Sequence, residues 1–157
     1  MRIEYFQLID RIIALNLAEQ TIRTEAIVPT ESTIFEGHFP GYPLMPGVLL
    51  IESMAQTAGW LVVAKRRFEA MPFLASLKEV KLRTFVNPGT RLEVAGKIVH
   101  DGSGFAVTEA EVYAEGKTVC EATITFRITP FPNAKFKEFM QQFAERISFP
   151  KEALANA

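Results

Sequence analysis

The hydrophobic pattern divides the chain into a long apolar segment, a series of alternating segments and a final amphipathic segment. From residue 44 to residue 64, apolar side chains occupy almost every position, which is typical of a helix buried on all sides. Pro46 and Gly47 favour the start of this helix, because proline suits a first turn whose N–H groups have no intrahelical acceptor. We predict a helix from there to about Phe68, with Lys65-Arg66-Arg67 at the negative end of the dipole.

Beyond Pro72 the period of the pattern changes to two, which predicts β-strands. The strands predicted here cover residues 74–86, 91–99, 105–114 and 118–128. Short turns join them, so we expect an antiparallel meander. Nearer the N-terminus we predict a short helix in the first few residues, two strands at 9–17 and 20–28, and a loop with a short strand at 29–39.

The last patterned segment predicts a second helix over residues 133–147. Asn133 is a favourable N-cap and Pro150 stops the helix. The apolar positions share one helical stripe: Phe136, Phe139, Met140, Phe143, Ala144 and Ile147. This helix packs against its own subunit or, alternatively, caps a ligand tunnel or offers a surface to a carrier protein or membrane.

The elements together predict a single α+β domain over residues 1–157. Its centre is one long helix inside a curved antiparallel sheet of five or six strands, with an extra helix at the C-terminus. A sheet of this size covers only part of a helix that is apolar all round. We therefore expect a second copy of the chain to cover the rest, as a homodimer.

Composition and charge exclude several classes of protein. The net charge of −1 gives no basic field for nucleic acid. Cys120 is the single cysteine, so no intramolecular disulfide forms, and no Cys/His cluster has metal-ligand spacing. The N-terminus lacks an apolar signal core, which favours the cytoplasm. The apolar helix is long enough to cross a membrane, but Glu52 and Gln56 argue against an integral membrane span.

Glu52 is the only charged residue between His38 and Lys65. Burying a carboxylate in apolar surroundings costs several kcal/mol, so we interpret this one as functional. A carboxyl group in such surroundings retains its proton more readily and can act as an acid. Histidine is suited to act as the base, because its proton affinity lies near physiological pH.

The sequence from residue 37 to residue 56, GHFPGYPLMPGVLLIESMAQ, resembles the signature of the β-hydroxyacyl-acyl-carrier-protein dehydratases. These are hot-dog-fold enzymes of fatty acid synthesis. The match comprises a histidine, a Pro-Gly pair, a glutamate 14 residues after the histidine and Met-Ala-Gln. Residues 5–12 and 73–89 resemble two further segments of the family. In the related dehydratase-isomerase branch the acid is usually aspartate, so Glu52 points to the plain dehydratase.

The resemblance implies dehydration of (3R)-3-hydroxyacyl-acyl carrier protein to the trans-2-enoyl form, with His38 as base and Glu52 as acid. It also implies that these two residues meet across a dimer interface. The helix N-terminus at Gly47 offers an N–H to the thioester oxygen. Gln56 lies one turn after Glu52, where it either orients the carboxylate or satisfies a buried carbonyl.

The resemblance further implies that no metal or redox cofactor is needed, because the acyl chain arrives on the phosphopantetheine of the acyl carrier protein. The assembly would be a homodimer or a trimer of dimers. Departures from the family pattern, such as Thr90 after Pro-Gly, favour a specialised member, for example in envelope lipid (lipid A) synthesis.

Two other functions remain open: a hot-dog acyl-CoA thioesterase, which would not need His38, and a non-catalytic acyl-binding protein. A set of basic residues near the helix end and on the next strand either docks an acidic carrier protein or simply faces solvent. The set comprises Lys65-Arg66-Arg67, Lys78, Lys81 and Arg83. We interpret His100 as a solvated residue in a turn.

Overall fold

Six antiparallel strands and one long central helix form the hot-dog fold that the sequence predicts. The computed structural model describes residues 1–152. After a short 3-10 helix at Ile3–Tyr5, the elements in chain order are β1 (Arg11–Asn16), β2 (Thr21–Ile27), α1 (Thr33–Gly37), α2 (Gly47–Lys65), β3 (Ala70–Leu82), β4 (Arg91–Gly102), β5 (Phe105–Ala114), β6 (Lys117–Pro130) and α3 (Ala134–Arg146).

The sheet order is β1-β2-β4-β5-β6-β3, so the predicted meander is correct only for β4, β5 and β6. β3 lies at the far edge, where it pairs with β6 and not with β4. The turn before β4 binds the end of β2: Gly89 N–H donates to Val28 O at 2.8 Å, and Val28 N–H donates to Thr90 O at 2.9 Å. Because these bonds pair β4 with β2, β3 pairs instead with β6, at the opposite edge of the sheet.

Helix α2 begins where the sequence predicts and ends earlier. Pro46 is its N-cap, with φ −58° and ψ 129°, and the helix ends at Lys65, before the predicted Phe68. Arg67 and Phe68 have positive φ angles of 52° and 56°, which an α-helix does not allow. Strand β4 approaches α2 at Gly96, where an added Cβ would lie 3.5 Å from Ala58 Cα of α2 and 3.2 Å from Ile22 Cγ2 of β2.

Three local predictions were wrong. The strand predicted at 74–86 is β3, Ala70–Leu82, which is displaced toward the N-terminus. The loop predicted at 29–39 contains α1, whose N-cap Ser32 accepts a hydrogen bond from Ile34 N–H at 3.1 Å. His100 lies in β4 and not in a turn, because β4 continues to Gly102; its side chain is exposed, as predicted.

Helix α3 is held mainly by its C-terminal end. Ala144, Ile147 and Phe149 are buried, and Ile12 N–H donates to Ile147 O at 2.7 Å. The predicted stripe is not buried along its whole length, since 55% of Phe139 is exposed. The end of the helix is therefore anchored in the core, whereas its first turns lie at the surface.

A row of exposed apolar side chains follows the edge strand β3 and continues into the next loop. Its members are Phe73, Leu74, Leu77, Val80, Leu82 and Phe85, each at least 37% exposed. Exposed edge strands with such side chains are templates for pairing with another chain. In the part of the chain that the structure describes, α2 alone has the length and hydropathy of a membrane span, and 67% of its apolar stretch is buried inside the fold.

Candidate active site

His38 lies directly after α1 and is fixed by the loop that leads to α2. Its Nδ1 is 2.9 Å from Leu44 O, and its own carbonyl accepts a hydrogen bond from Leu44 N–H at 2.9 Å. A carbonyl oxygen can only accept, so Nδ1 carries the proton. Neutral His38 therefore presents the lone pair of Nε2, which is the atom that a general base uses. The ring of Phe39 stacks on the imidazole, with centroids 4.2 Å apart.

Glu52 is half-buried on α2, one turn before Gln56. The side-chain amide of Gln56 donates to Glu52 Oε1 at 3.1 Å and to Phe6 O at 2.8 Å, and its Oε1 accepts from Leu8 N–H at 3.1 Å. Gln56 thus contacts both the carboxylate and a backbone carbonyl, but that carbonyl belongs to the exposed Phe6 and is not the buried one that the sequence left as an alternative. The carboxylate is oriented by an amide that is itself fixed by the N-terminal segment.

The N-terminal segment also satisfies the other polar side chains on this part of α2. Ser53 Oγ donates to Leu49 O at 3.0 Å and to Leu8 O at 3.3 Å. One turn further, the hydroxyl groups of Thr57 and Thr24 lie 2.7 Å apart and connect α2 to β2. These bonds explain how a nearly apolar helix accommodates several polar residues.

Gly47 is the first residue of α2, and no side chain caps this helix. Its N–H therefore has no acceptor within the helix. Leu82, at the end of β3, packs against it, and an added Cβ would lie 2.6 Å from Leu82 Cδ1. A glycine at this position therefore lets α2 begin in contact with Leu82 without a clash.

An apolar cavity of about 400 Å³ extends from Glu52 along α2. The α2 side of the wall comprises Glu52, Ala55, Gln56, Gly59, Trp60 and Val63. The remaining walls are residues 5–7, residues 71–74, Phe126 and three side chains of α3: Phe139, Met140 and Phe143. Glu52 is the only ionisable carboxylate in this lining, so the cavity is polar at one end and apolar along the rest.

The sequence alone did not identify most of this wall. Trp60 and Phe126 look like ordinary core residues, and the stripe on α3 predicts packing as readily as a ligand wall. The possibility that the C-terminal helix caps a tunnel was one signal of a groove for an apolar ligand, and the abundance of phenylalanine, 13 in the chain, is another. His38 is not among the described residues that line the cavity beside Glu52.

Most of the predicted basic residues are engaged in ion pairs. Lys65 and Arg66 pair with Asp101. Lys81 and Arg83 pair with Glu121, at 3.2 and 2.9 Å. The other two, Arg67 and Lys78, are exposed. Docking of a carrier protein at these groups therefore stays a prediction, with fewer free cations than the sequence indicates.

The single thiol is not part of the site. Cys120 is buried in β6, and burial raises its pKa to about 11. A thiol with so little thiolate at neutral pH is a poor nucleophile. Over residues 1–152, no group of three or more His, Cys, Asp or Glu side chains is placed to hold a metal ion.

The fold and the cavity together define a hot-dog protein with one carboxylate at the end of an apolar pocket. The family model described as the FabA-like domain matches residues 2–123, so the chain belongs to the FabA-like family.

The chain is similar to curated dehydratases along most of its length. Over 124 residues it is 38% identical to the 3-hydroxyacyl-acyl-carrier-protein dehydratase FabZ of Lactococcus lactis subsp. cremoris. The aligned region covers 78% of this chain and 85% of that protein. It is 39% identical over 122 residues to the same enzyme of Streptococcus suis, covering 77% of this chain and 86% of that protein.

Solved structures share the fold at much lower identity. A conserved protein of Pseudomonas aeruginosa superposes with a TM-score of 0.62 at 19% identity, covering 80% of this chain and 93% of that one. A hypothetical thioesterase of Streptococcus pneumoniae, solved with coenzyme A, gives 0.60 at 17% identity, covering 78% and 90%. At such identities the likeness concerns the fold alone.

Proposed function

We propose that this protein dehydrates (3R)-3-hydroxyacyl chains on acyl carrier protein to the trans-2-enoyl form, in fatty acid or envelope lipid biosynthesis. The observation that carries the proposal is the half-buried Glu52 carboxylate, held by Gln56 at the polar end of an apolar cavity. Membership of the FabA-like family and the similarity to dehydratases named FabZ support the same reaction.

His38 acts as the general base in this scheme. Its Nδ1 proton is held by Leu44 O, so Nε2 is free to take a proton from C2 of the acyl chain. The electron pair of that C–H bond forms the C2–C3 double bond. The imidazolium that results keeps its hydrogen bond to the Leu44 carbonyl.

Glu52 acts as the general acid. It gives its proton to the hydroxyl on C3, the C3–O bond breaks, and water leaves. Glu52 ends ionised and His38 ends protonated, so one proton must return from base to acid, through solvent, before the next turnover. A positioned acid or base contributes on the order of 10²–10⁴ in rate, so both are needed.

The helix N-terminus at Gly47 stabilises the charge that develops on the thioester oxygen. Its N–H lacks an intrahelical acceptor and lies at the positive end of the α2 dipole. One such donor contributes about 10²–10³ in kcat. The scheme uses no metal or redox cofactor, because the substrate is carried on the phosphopantetheine of the carrier protein.

We further propose that the active unit is a homodimer, in which His38 of one subunit faces Glu52 of the other. Two features support this arrangement: His38 lies outside the cavity of its own Glu52, and β3 presents an exposed apolar edge. A trimer of dimers is the larger assembly consistent with the family resemblance. With Cys120 buried and reduced, we place the protein in the cytoplasm.

A thioesterase is the second candidate, because thioesterases share the fold and a carboxylate such as Glu52 can activate water. The two reactions differ in their need for His38. A dehydratase requires a base at C2, whereas a thioesterase that uses a carboxylate does not. A non-catalytic acyl-binding protein would need neither residue.

One assay separates these functions. The protein is incubated with crotonyl and 3-hydroxybutyryl thioesters while the conjugated enoyl absorbance and the release of free thiol are followed. We expect interconversion without thiol release, and a loss of at least about 10² in kcat for His38→Ala. Thiol release without interconversion identifies a thioesterase, and binding with neither product identifies an acyl-binding protein.

A further inference from the structure

Helix α3 lies beyond the residues that match the FabA-like family, yet it forms part of the wall of the cavity. The match ends at residue 123, and α3 spans Ala134–Arg146. Phe139, Met140 and Phe143, on one side of this helix, line the same cavity as Glu52. The family match therefore does not account for this part of the pocket.

The cavity follows α2 away from Glu52. Along that face the lining residues recur at helical spacing and end at Val63, eleven residues after Glu52. At about 1.5 Å per residue, this distance along the helix is on the order of 16 Å. An extended chain advances about 1.2 Å per bond, as the polypeptide backbone does. The cavity therefore holds about a dozen bonds of an extended acyl chain.

Phe143 lies near the far end of this path. Its ring stacks on that of Trp60, with centroids 5.9 Å apart and planes 17° from parallel. Trp60 is itself fixed by Phe149, whose ring meets it edge-on at 5.7 Å. Both Phe149 and Ala144, on either side of the helix end, are buried. Because these contacts anchor the end of α3, Phe143 is a rigid part of the wall.

We propose that α3 sets the upper limit of acyl chain length, with Phe143 as the residue that stops the chain. This inference rests on the proposed function in taking the occupant of the cavity to be the acyl chain of a thioester. Chains that reach no further than Phe143 fit within the cavity. Longer chains meet the ring, and the anchored helix end cannot move aside without exposing buried side chains.

The affinity for acyl thioesters of increasing length measures the limit of chain length without requiring catalysis. Trp60 is the only tryptophan of the chain and lines the cavity, so quenching of its fluorescence reports occupancy. The probes are saturated acyl thioesters of pantetheine, from butyryl to hexadecanoyl. Each added methylene that is buried strengthens binding by roughly fourfold. Because Glu52 acts at C3, about a dozen further bonds reach roughly C14 or C15, so in the wild-type protein we expect this increase to stop near tetradecanoyl.

The informative variant is Phe143→Ala, which removes the ring at the end of the cavity. We expect the hexadecanoyl-to-octanoyl affinity ratio to rise by about tenfold or more, with butyryl binding unchanged. The matched control is Phe136→Ala, the same change on the same helix. Phe136 contacts Phe131 and Phe139 but does not line the cavity, so its length profile should equal that of the wild type.

Three results would overturn the proposal: an unchanged length profile in folded Phe143→Ala, an equal shift in Phe136→Ala, or no quenching by any acyl thioester. Where Phe143→Ala fails to fold, Met140→Ala tests the same wall with a smaller loss of packing. Failure of the proposed function gives a different result, because a protein without dehydratase activity can still show the length limit in binding.

Discussion

At the scale of single residues, the site depends on small backbone and side-chain details that hold reactive groups in one orientation. Leu44 O selects the tautomer of His38, and the Gln56 amide orients Glu52. Gly47 lets α2 begin directly beside Leu82, because an added Cβ there would lie 2.6 Å from Leu82 Cδ1. Each of these residues acts on the position or proton of a neighbouring group.

The first prediction separates the effect of losing the Gly47 N–H from the effect of adding a side chain beside Leu82. Gly47→Ala and Gly47→Pro both add a Cβ next to Leu82, but only proline removes the N–H. Proline is tolerated at the first helical position, and the ψ of 129° at Pro46 is compatible with a following proline. We expect kcat of Gly47→Pro to be about 10²–10³ below that of Gly47→Ala.

Steady-state kinetics on both purified variants tests this prediction, with circular dichroism to confirm that each is folded. Equal kcat values for the two variants would mean that the Gly47 N–H does not act on the substrate. A kcat below that of the wild type in both variants alike would mean that Leu82 does not move aside for the added Cβ.

At the scale of elements, contacts between α2 and the sheet decide which glycines are replaceable. An added Cβ at Gly59 would meet only Pro72 Cγ, at 3.6 Å, which is an ordinary contact. At Gly96 it would lie 3.2 Å from Ile22 Cγ2 and 3.5 Å from the backbone of Ala58. Replacement of glycine by alanine should therefore stabilise the protein at position 59 and destabilise it at position 96.

We expect Gly59→Ala to raise the free energy of unfolding by about 0.5–1 kcal/mol, because alanine is the better helix former and the space is available. Gly96→Ala should lower it by roughly 1–3 kcal/mol, since the added Cβ would press on the buried side chain of Ile22 in the neighbouring strand β2. Urea denaturation of both variants measures these values. A loss of stability in Gly59→Ala would show that the contact with Pro72 is tighter than the structure indicates.

The second element-scale prediction concerns the edge strand. Hydrogen bonds from Arg83 and Lys81 in and after β3 lower the pKa of Glu121 on β6 below its ordinary 4.5. A carboxyl group whose pKa is lowered by folding stabilises the protein above its unfolded-state pKa, and this contribution disappears as the pH falls through the folded-state value. Glu121 therefore supports the pairing of β3 with β6 at neutral pH.

We expect Glu121→Gln to unfold at a lower temperature than the wild type at pH 7, with the difference shrinking as the pH falls below the ordinary pKa of 4.5 and vanishing once it passes below the lowered folded-state pKa. Glu109→Gln on β5 is the control, because Glu109 is exposed and has no ion pair within residues 1–152. Thermal unfolding across this pH range measures the difference in unfolding temperature between each variant and the wild type. A difference for Glu121→Gln that persisted in acid, or that equalled the difference for Glu109→Gln, would contradict the prediction.

At the scale of the whole molecule, one chain supplies the parts of the proposed site in two separate places. His38 lies on the loop before α2, and Glu52 opens into the cavity along α2. The exposed apolar edge of β3 is the surface through which a second chain would bring them together. A complete site would then need two copies.

Mixing two inactive variants tests this arrangement. His38→Ala and Glu52→Gln are each expected to lose at least about 10² in kcat. After unfolding and refolding together in equal amounts, half the dimers are mixed, and each of these has one intact site in two, so about a quarter of the wild-type activity should return. Separately refolded variants are the control. No recovery in the mixture would place both residues in one subunit.

Much of this fold follows from the sequence because short runs of neighbouring residues determine where a helix or a strand forms. The apolar run fixes α2, alternation fixes the strands from β4 to β6, and Asn133 marks the start of α3. The short pattern around Ser32 was too weak to reveal α1. The shift of β3 to Ala70–Leu82 could not be predicted either, because alternation is similar in either register.

The candidate residues His38, Gly47, Glu52 and Gln56 were likewise visible in the sequence: Glu52 because a carboxylate in an apolar segment stands out, and the others because the segment around it resembles the dehydratase signature. Tertiary structure alone decided which side chains surround them. The bonds of Gly89 and Thr90 to Val28 send β4 to β2 and leave β3 at the open edge. The docking of α3 against Trp60 turns a plain amphipathic stripe into a cavity wall. Such contacts join residues far apart in the chain, so no local pattern encodes them.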